Sequence, residues 1–336
     1  MSNVDTSTSF GRATWNYRHQ SCNTAAYHSV TTLAEQGTEI IDIAVIGAAH
    51  VIVGDGDMDC DPTPHLRIKK LRKYMGKQDD LAVVAACTAA HVAEYHTPDR
   101  VNGIARDRIG LYMGVGYIPF EERELLRLRA AAENDGQFSM QQLSTTGFHA
   151  VNGLLTFRCL PNMPAFHIST NLDIQGPCYV TYPGAGQFYT ALQQACYALK
   201  DHKIDVAMVT GVADQRNYLV RHHFNRLSHR PDIPLVDAGG CIVLQRRETA
   251  TTTQVPIAIW KQLSIQYETF DPFSGEFDPA ESTCCDGHAQ EIRQAMGPAS
   301  LPILLSQTIA KKSASVFEHR LASRDGIRAF SRWEIL

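Results

Sequence analysis

The stretch Pro164–Asp214 constrains this chain more than any other. Within it a short β-prone run, Tyr179-Val180-Thr181-Tyr182, meets a Pro-Gly-Ala-Gly turn at Pro183–Gly186. Phe188, Ala191, Leu192, Ala195 and Leu199 then recur at spacings of three and four, the period of a helix with one buried face. A charged break at Lys200-Asp201-His202-Lys203 leads into a second strand, Ile204–Thr210, ending on Gly211. Strand, sharp turn, helix and strand in this order predict a βαβ unit with a tight elbow. An elbow of this kind presents a side chain at a helix N-terminus, where free backbone N–H groups and the helix dipole favour an anion or oxyanion. The tip here carries Pro183, Gly184, Ala185, Gly186 and Gln187, none of them a nucleophile. The scaffold of an active site is present without its reactive atom.

Either side of the elbow the pattern is α/β. Residues 1–38 are polar and weakly periodic and read as an N-terminal arm. Glu39–Gly47 is an apolar run continuous enough for a strand buried on both faces. A polar loop and a basic segment at 67–73 precede a helix over Leu81–Tyr95. Arg108–Tyr117 is another strand, and Glu121–Glu133 is a charged helix supported by Glu/Arg pairs three and four apart. The Gly-Val-Gly ending that strand lacks the further glycine and acidic residue of a dinucleotide site, so a nicotinamide cofactor is discarded. Arg216–Arg230 is basic and His-rich. His222 and His223 are adjacent, point in different directions on a helix, and have no ligand set around them, so no metal site is read. Leu235–Leu244 reads as a strand, Gln245–Gln254 as a polar linker, Val255–Tyr267 as a strand, His288–Met296 as a helix and Leu301–Leu305 as a short buried strand. The chain thus divides into an arm (1–38), a first half (39–245) and a second half (246–336).

With 31 basic against 35 acidic residues, the net charge of −4 argues against nucleic acid or an anionic membrane as partner. Nine cysteines without regular spacing suggest reduced thiols. Neither a signal peptide nor an apolar run approaching the roughly 20 residues of a membrane span is read, which leads to an expectation of a soluble cytoplasmic protein.

The central stretch resembles the β-ketoacyl synthases of the thiolase superfamily, which condense acyl groups carried on acyl carrier protein. The resemblance rests on Gly176-Pro177, the short strand after it, Ala191 and Ala195 at the small helix positions, and Asp205–Asp214 (DVAMVTGVAD) as the following strand. Counting without gaps from Gly176 to Ala195 puts Ala185 where the family has its catalytic Cys, and an alanine methyl cannot attack a thioester. In this the chain is similar to the chain-length-factor subunits of type II polyketide synthases, which lack the Cys and pair with an active ketosynthase. The family's His-Gly-Thr-Gly-Thr turn and its second His in a Gly-rich loop are not found; Ser306-Gln307 is the position nearest the first. The resemblance covers residues 40–245 well and the rest poorly, and the chain ends where the family's last Gly-rich strands are expected.

The resemblance implies a thiolase-like α/β fold, layered α-β-α-β-α, with an abbreviated C-terminal half. It implies a non-catalytic subunit that heterodimerises with an active β-ketoacyl synthase, shapes the acyl or polyketide chain, and needs no cofactor or metal. Strand Cys178–Tyr182 then pairs across the dimer axis. Cys178, Tyr179, Tyr182, Pro183, Gln187, Phe188, Tyr189 and Phe148 are the candidates for pocket, tunnel or interface. Gln187 is a donor to an acyl carbonyl or a solvent-facing helix residue, and Phe148 and Phe157 are tunnel floor or ordinary core. Arg67, Lys69, Lys70, Arg72 and Lys73 are a solvated helix face or a patch for an acidic acyl carrier protein. The competing reading is an acyl-thioester-processing enzyme with a displaced nucleophile, Cys178 or the Cys284-Cys285 pair beside Asp286 and His288.

Overall fold

The apolar runs of the sequence become the strands of one mixed sheet. The computed structural model describes residues 38–54, 60–94, 104–118, 120, 122–225, 234–250, 254–267, 295–323 and 326–336, all within one compact unit. The strands are β1 (Thr38–Val53), β2 (Ile109–Val115), a small hairpin of β3 (Glu133–Asn134) and β4 (Gln137–Phe138), then β5 (Cys178–Thr181) and β6 (Val206–Ala213). After them come β7 (Asp237–Arg246), β8 (Ala258–Tyr267), β9 (Val316–Ser323) and β10 (Ile327–Ile335). The helices are α1 (Lys77–Val92), α2 (Glu122–Ala131), α3 (Met140–Thr145), α4 (Leu155–Arg158), α5 (Met163–Leu172), α6 (Gln187–Lys200), α7 (Tyr218–Asn225) and α8 (Ser300–Lys311).

The large sheet runs β5-β2-β6-β7-β1-β8-β10-β9. β2 is parallel to both β5 and β6, while β7 is antiparallel to β6 and to β1. Every residue of β2, β6 and β7 is buried, as apolar runs without alternation require when both faces are covered. α1 and α5 cover one face and α6 and α8 the other, each with its own apolar core. β9 and β10 then lie against α6 from its far side. Tyr189 on α6 hydrogen-bonds His319 Nδ1 of β9 at 2.7 Å, and Ser331 Oγ of β10 lies 3.3 Å from the same hydroxyl. α6 is therefore sandwiched between the two arms of the sheet, and the described residues stack as α-β-α-β. Trp260 of β8 and Trp333 of β10 stack at 5.1 Å inside this second core.

The structure departs from the sequence reading at several places. Leu301–Leu305 is not a strand but part of α8. A five-residue apolar run fits either element, and Pro302 in the first turn, where its missing N–H costs nothing, tips it to a helix. Beyond α8 the sheet continues from β8 into the antiparallel strands β10 and β9. α5 went unread because it begins with Pro164 in its first turn and mixes polar with apolar residues. β1 is nearly twice as long as its apolar run and passes an irregularity between Val45 and Gly47. Gln245 and Arg246, expected to open a polar linker, are instead the buried end of β7, Arg246 donating to the carbonyls of Leu199 (2.9 Å) and Ile204 (2.8 Å). The N-terminal arm, except Thr38, and most of the helix expected at His288–Met296 lie outside the described residues. The segments 39–245 and 246–336 meet in the sheet through β1 and β8.

Candidate functional site

The elbow is built by close backbone approach. β5 leads through Tyr182–Gly186 into α6, and Gly184 has φ of +117°, a conformation that side chains strain. The Thr181 hydroxyl lies 3.0 Å from the Met113 carbonyl and 2.8 Å from the Gln187 carbonyl, linking β2 to the first turn of α6. Gly114 on β2 lets that turn settle, because a Cβ there would sit 2.7 Å from the Phe188 amide. At the tip the Gly186 N–H donates to Ser323 Oγ at 3.0 Å, so the end of β9 holds the start of α6.

A small cavity of about 40 Å³, open to solvent, faces Ala185. Its polar lining is Tyr117, Gln215, His223 and Ser323, and its apolar lining includes Phe224 and Pro298. Tyr117 Oη and His223 Nε2 are 3.2 Å apart, with ring centroids at 5.0 Å. The cavity therefore offers hydroxyl, amide and imidazole groups beside a helix N-terminus, which suits a carbonyl or oxyanion. Ala185 presents only a methyl to this cavity, which cannot act as a nucleophile.

The sequence candidates are scattered around this centre. Cys178 and Tyr179 are exposed on β5, an edge strand, and Tyr182 is 36% exposed. Pro183 and Gln187 are half-buried at the elbow. Phe188 and Tyr189, read as pocket or interface residues, are fully buried and fill this chain's own core, because the helix turns both inward against the sheet and β9. Phe148 is 62% exposed on a 3-10 turn, and Phe157 is exposed with its ring edge-on to Tyr74. Ser306 is buried within α8, its hydroxyl 3.0 Å from His50 Nδ1, and does not line the elbow cavity. Cys178 also lies outside that lining, and partial desolvation by its surroundings raises its thiol pKa, away from the reactive thiolate. Cys284, Cys285, Asp286 and His288 lie outside the described residues.

The basic run is a 3-10 segment, Lys69–Tyr74, rather than a helix face. Arg67, Lys69, Lys70 and Lys73 are exposed, while Arg72 pairs with Asp80 at 3.0 Å and Arg67 with Asp173 at 3.3 Å. On α7, His223 turns to Tyr117 and His222 stacks on Tyr218 at 6.0 Å. No group of three metal-ligating side chains occurs among the described residues. No helix among them is long and apolar enough to cross a membrane.

Four cavity residues were not singled out for this role from sequence. Tyr117 follows the Gly-Val-Gly that ends β2, and His223 was weighed only as a metal ligand. Gln215 and Ser323 carry no local signal, Ser323 lying 137 positions from its partner Gly186.

Residues 45–229 match the family model for the β-ketoacyl synthase N-terminal domain. No curated protein sequence matches significantly. Among solved structures, the fold is similar to a type II polyketide-synthase ketosynthase in complex with its acyl-carrier protein, with a TM-score of 0.65, 10% identity, and coverage of 88% of this chain and 99% of that one. A β-ketoacyl synthase from Burkholderia phymatum STM815 gives 0.64 at 12% identity, again over 88% and 99%. The ishigamide ketosynthase/chain length factor gives 0.60 at 13% identity with the same coverage. A family match over more than half of the sequence, on a sheet and elbow of this kind, makes the chain a member of the β-ketoacyl synthase family.

Proposed function

We propose that this chain is a non-catalytic ketosynthase-like subunit that pairs with an active β-ketoacyl synthase and helps to define the acyl or polyketide chain made. The observation that carries this reading is Ala185: the elbow, its helix and its cavity are intact, and the one atom needed for acyl transfer is replaced by a methyl. The position of β5 supports the pairing. It is the end strand of the sheet, its outer edge has no strand beside it among the described residues, and Cys178, Tyr179 and Tyr182 are exposed along or just after it. An open edge of this kind takes a partner strand readily. The structurally similar ishigamide ketosynthase/chain length factor joins the two roles that this reading separates.

The exposed cations at Arg67, Lys69, Lys70 and Lys73 form the surface assigned to an acidic acyl carrier protein, acting through steering by complementary charge. Co-expression with an active ketosynthase from the same source tests the whole reading. A heterodimer on size exclusion, with product lengths that change in Tyr182→Ala, supports it. A chain that purifies alone and reacts with an acyl thioester, losing that reaction in Cys178→Ala, refutes it and favours a displaced nucleophile.

A further inference from the structure

A second and larger cleft, about 590 Å³ and open to solvent, lies where the start of α1, the start of α2 and residues 214–221 meet. Six cationic side chains line it, Arg72, Lys77, Arg123, Arg158, Arg216 and Arg221, against four carboxylates, Asp80, Glu122, Glu124 and Asp214. Three of the cations are committed to the wall. Arg72 is held by Asp80 at 3.0 Å, and Lys77 bridges Asp214 (3.6 Å) and the fully buried Asp237. Arg216 pairs with Asp237 at 3.5 Å and donates to the carbonyls of Leu235 and Gly54, each at 3.2 Å, and of Val53.

Arg158 and Arg221 are differently placed. Arg158 reaches the Lys73 carbonyl only at 3.4 Å, and its Nε is buried without a hydrogen-bond partner among the described residues. A buried guanidinium N–H left unmade is costly, more so than for a neutral donor. Arg221 stands 4.0 Å from Glu122 with its side chain 57% exposed. Gly76 and Lys77, at the N-terminus of the sixteen-residue helix α1, also line the cleft; the Gly76 N–H is taken by Asp79, and the remaining first-turn N–H groups and the helix dipole add to the positive field.

We propose that this cleft binds a phosphate-bearing small molecule, with Arg158 and Arg221 contacting the phosphate and the paired Arg72 and Lys77 forming its rigid wall. Two guanidinium forks together with helix N–H groups supply more donors than the two oxygens of a carboxylate accept, whereas a phosphate has three free oxygens. Concavity strengthens the attraction, because field lines concentrate in a cleft with low-dielectric walls. The volume leaves room for a group beyond the phosphate itself. The proposal is independent of the partner assigned above, since Ala185 and β5 take no part in it.

The test is calorimetric titration of the full chain with inorganic pyrophosphate at near-physiological salt. Saturable binding is expected, weakened about tenfold or more in Arg158→Gln and in Arg221→Gln, as for loss of a charge-assisted contact. Lys261→Gln, on β8 and paired with Glu334, serves as the distant control and should bind as the parent does. Because Arg221 is exposed, its variant should retain the fold, which circular dichroism checks. Absence of saturable binding, or equal weakening in Lys261→Gln, overturns the proposal.

Discussion

Asp79 is the group whose replacement should change this protein most plainly. It lies in the first turn of α1, 2% exposed, and accepts the Gly76 N–H at 2.6 Å. Burial pushes its carboxyl from 3.8 up to about 8, with Asp80 adding to the rise and the Gly76 N–H, Arg72 and Arg158 opposing it. At neutral pH the folded chain therefore holds a proton that the unfolded chain has released. The sign follows: stability from this group is intact below about pH 4, falls as pH rises toward 8, and is constant above that. Between 3.8 and pH 7 lie 3.2 units, and at about 1.4 kcal/mol per unit the cost at pH 7 is about 4 kcal/mol. That is an upper figure, because Arg72 and Arg158 can move toward an ionised carboxylate. Asp79→Asn keeps an acceptor for Gly76 and removes the proton linkage. Urea unfolding at pH 4.5, 6, 7 and 8 should give a variant that gains on the parent steadily with pH, by about 2–4 kcal/mol at pH 7. A difference that does not change with pH would refute the reasoning.

Three further outcomes are expected. Asp205 is held down at about 2 by Arg108, which hydrogen-bonds it at 2.9 and 3.0 Å, and by Arg246 at 2.7 Å, so its stabilisation is complete above pH 3.8 and lost as pH falls through 2. Asp205→Asn should cost about 1–2 kcal/mol at pH 7 and nearly nothing at pH 2, read by the pH dependence of the unfolding midpoint. Gly114→Ala places a Cβ 2.7 Å from the Phe188 amide and Cα, and should lower stability by about 1–3 kcal/mol; an unchanged melting temperature would contradict the close packing of α6 on β2. Ala185→Cys puts a thiol at the N-terminus of α6, where its pKa should fall at least about one unit below that of a free cysteine. The pH dependence of iodoacetamide labelling checks this, and a new thiol titrating at or above 8.5 would contradict the elbow geometry.

Much of this structure is written locally. The run Ile204–Thr210, read as the strand that follows the helix, lies largely in β6, which is buried along its whole length between β2 and β7. The three-and-four spacing from Phe188 to Leu199 made α6, and Pro-Gly-Ala-Gly made the elbow. Ala185 at its tip was legible for the same reason: the absence of a nucleophile is a property of one residue in a turn that is itself local. Where a run was short, apolar periodicity ran out, and Leu301–Leu305 became helix with Pro302 in its first turn.

Contacts between distant segments were settled by tertiary packing alone. That Ser323 would hold Gly186, that β5 would be an edge strand, and that Tyr117 would meet His223 depend on how the whole sheet is ordered. The periodicity that puts Phe188 on a buried helix face does not say that Tyr189 beside it is buried too, its hydroxyl on His319 of β9. Hydrophobic periodicity reports which face of an element leaves water, but not which other element covers it. That choice belongs to the packing of the complete core, where each strand's place is fixed by all the others.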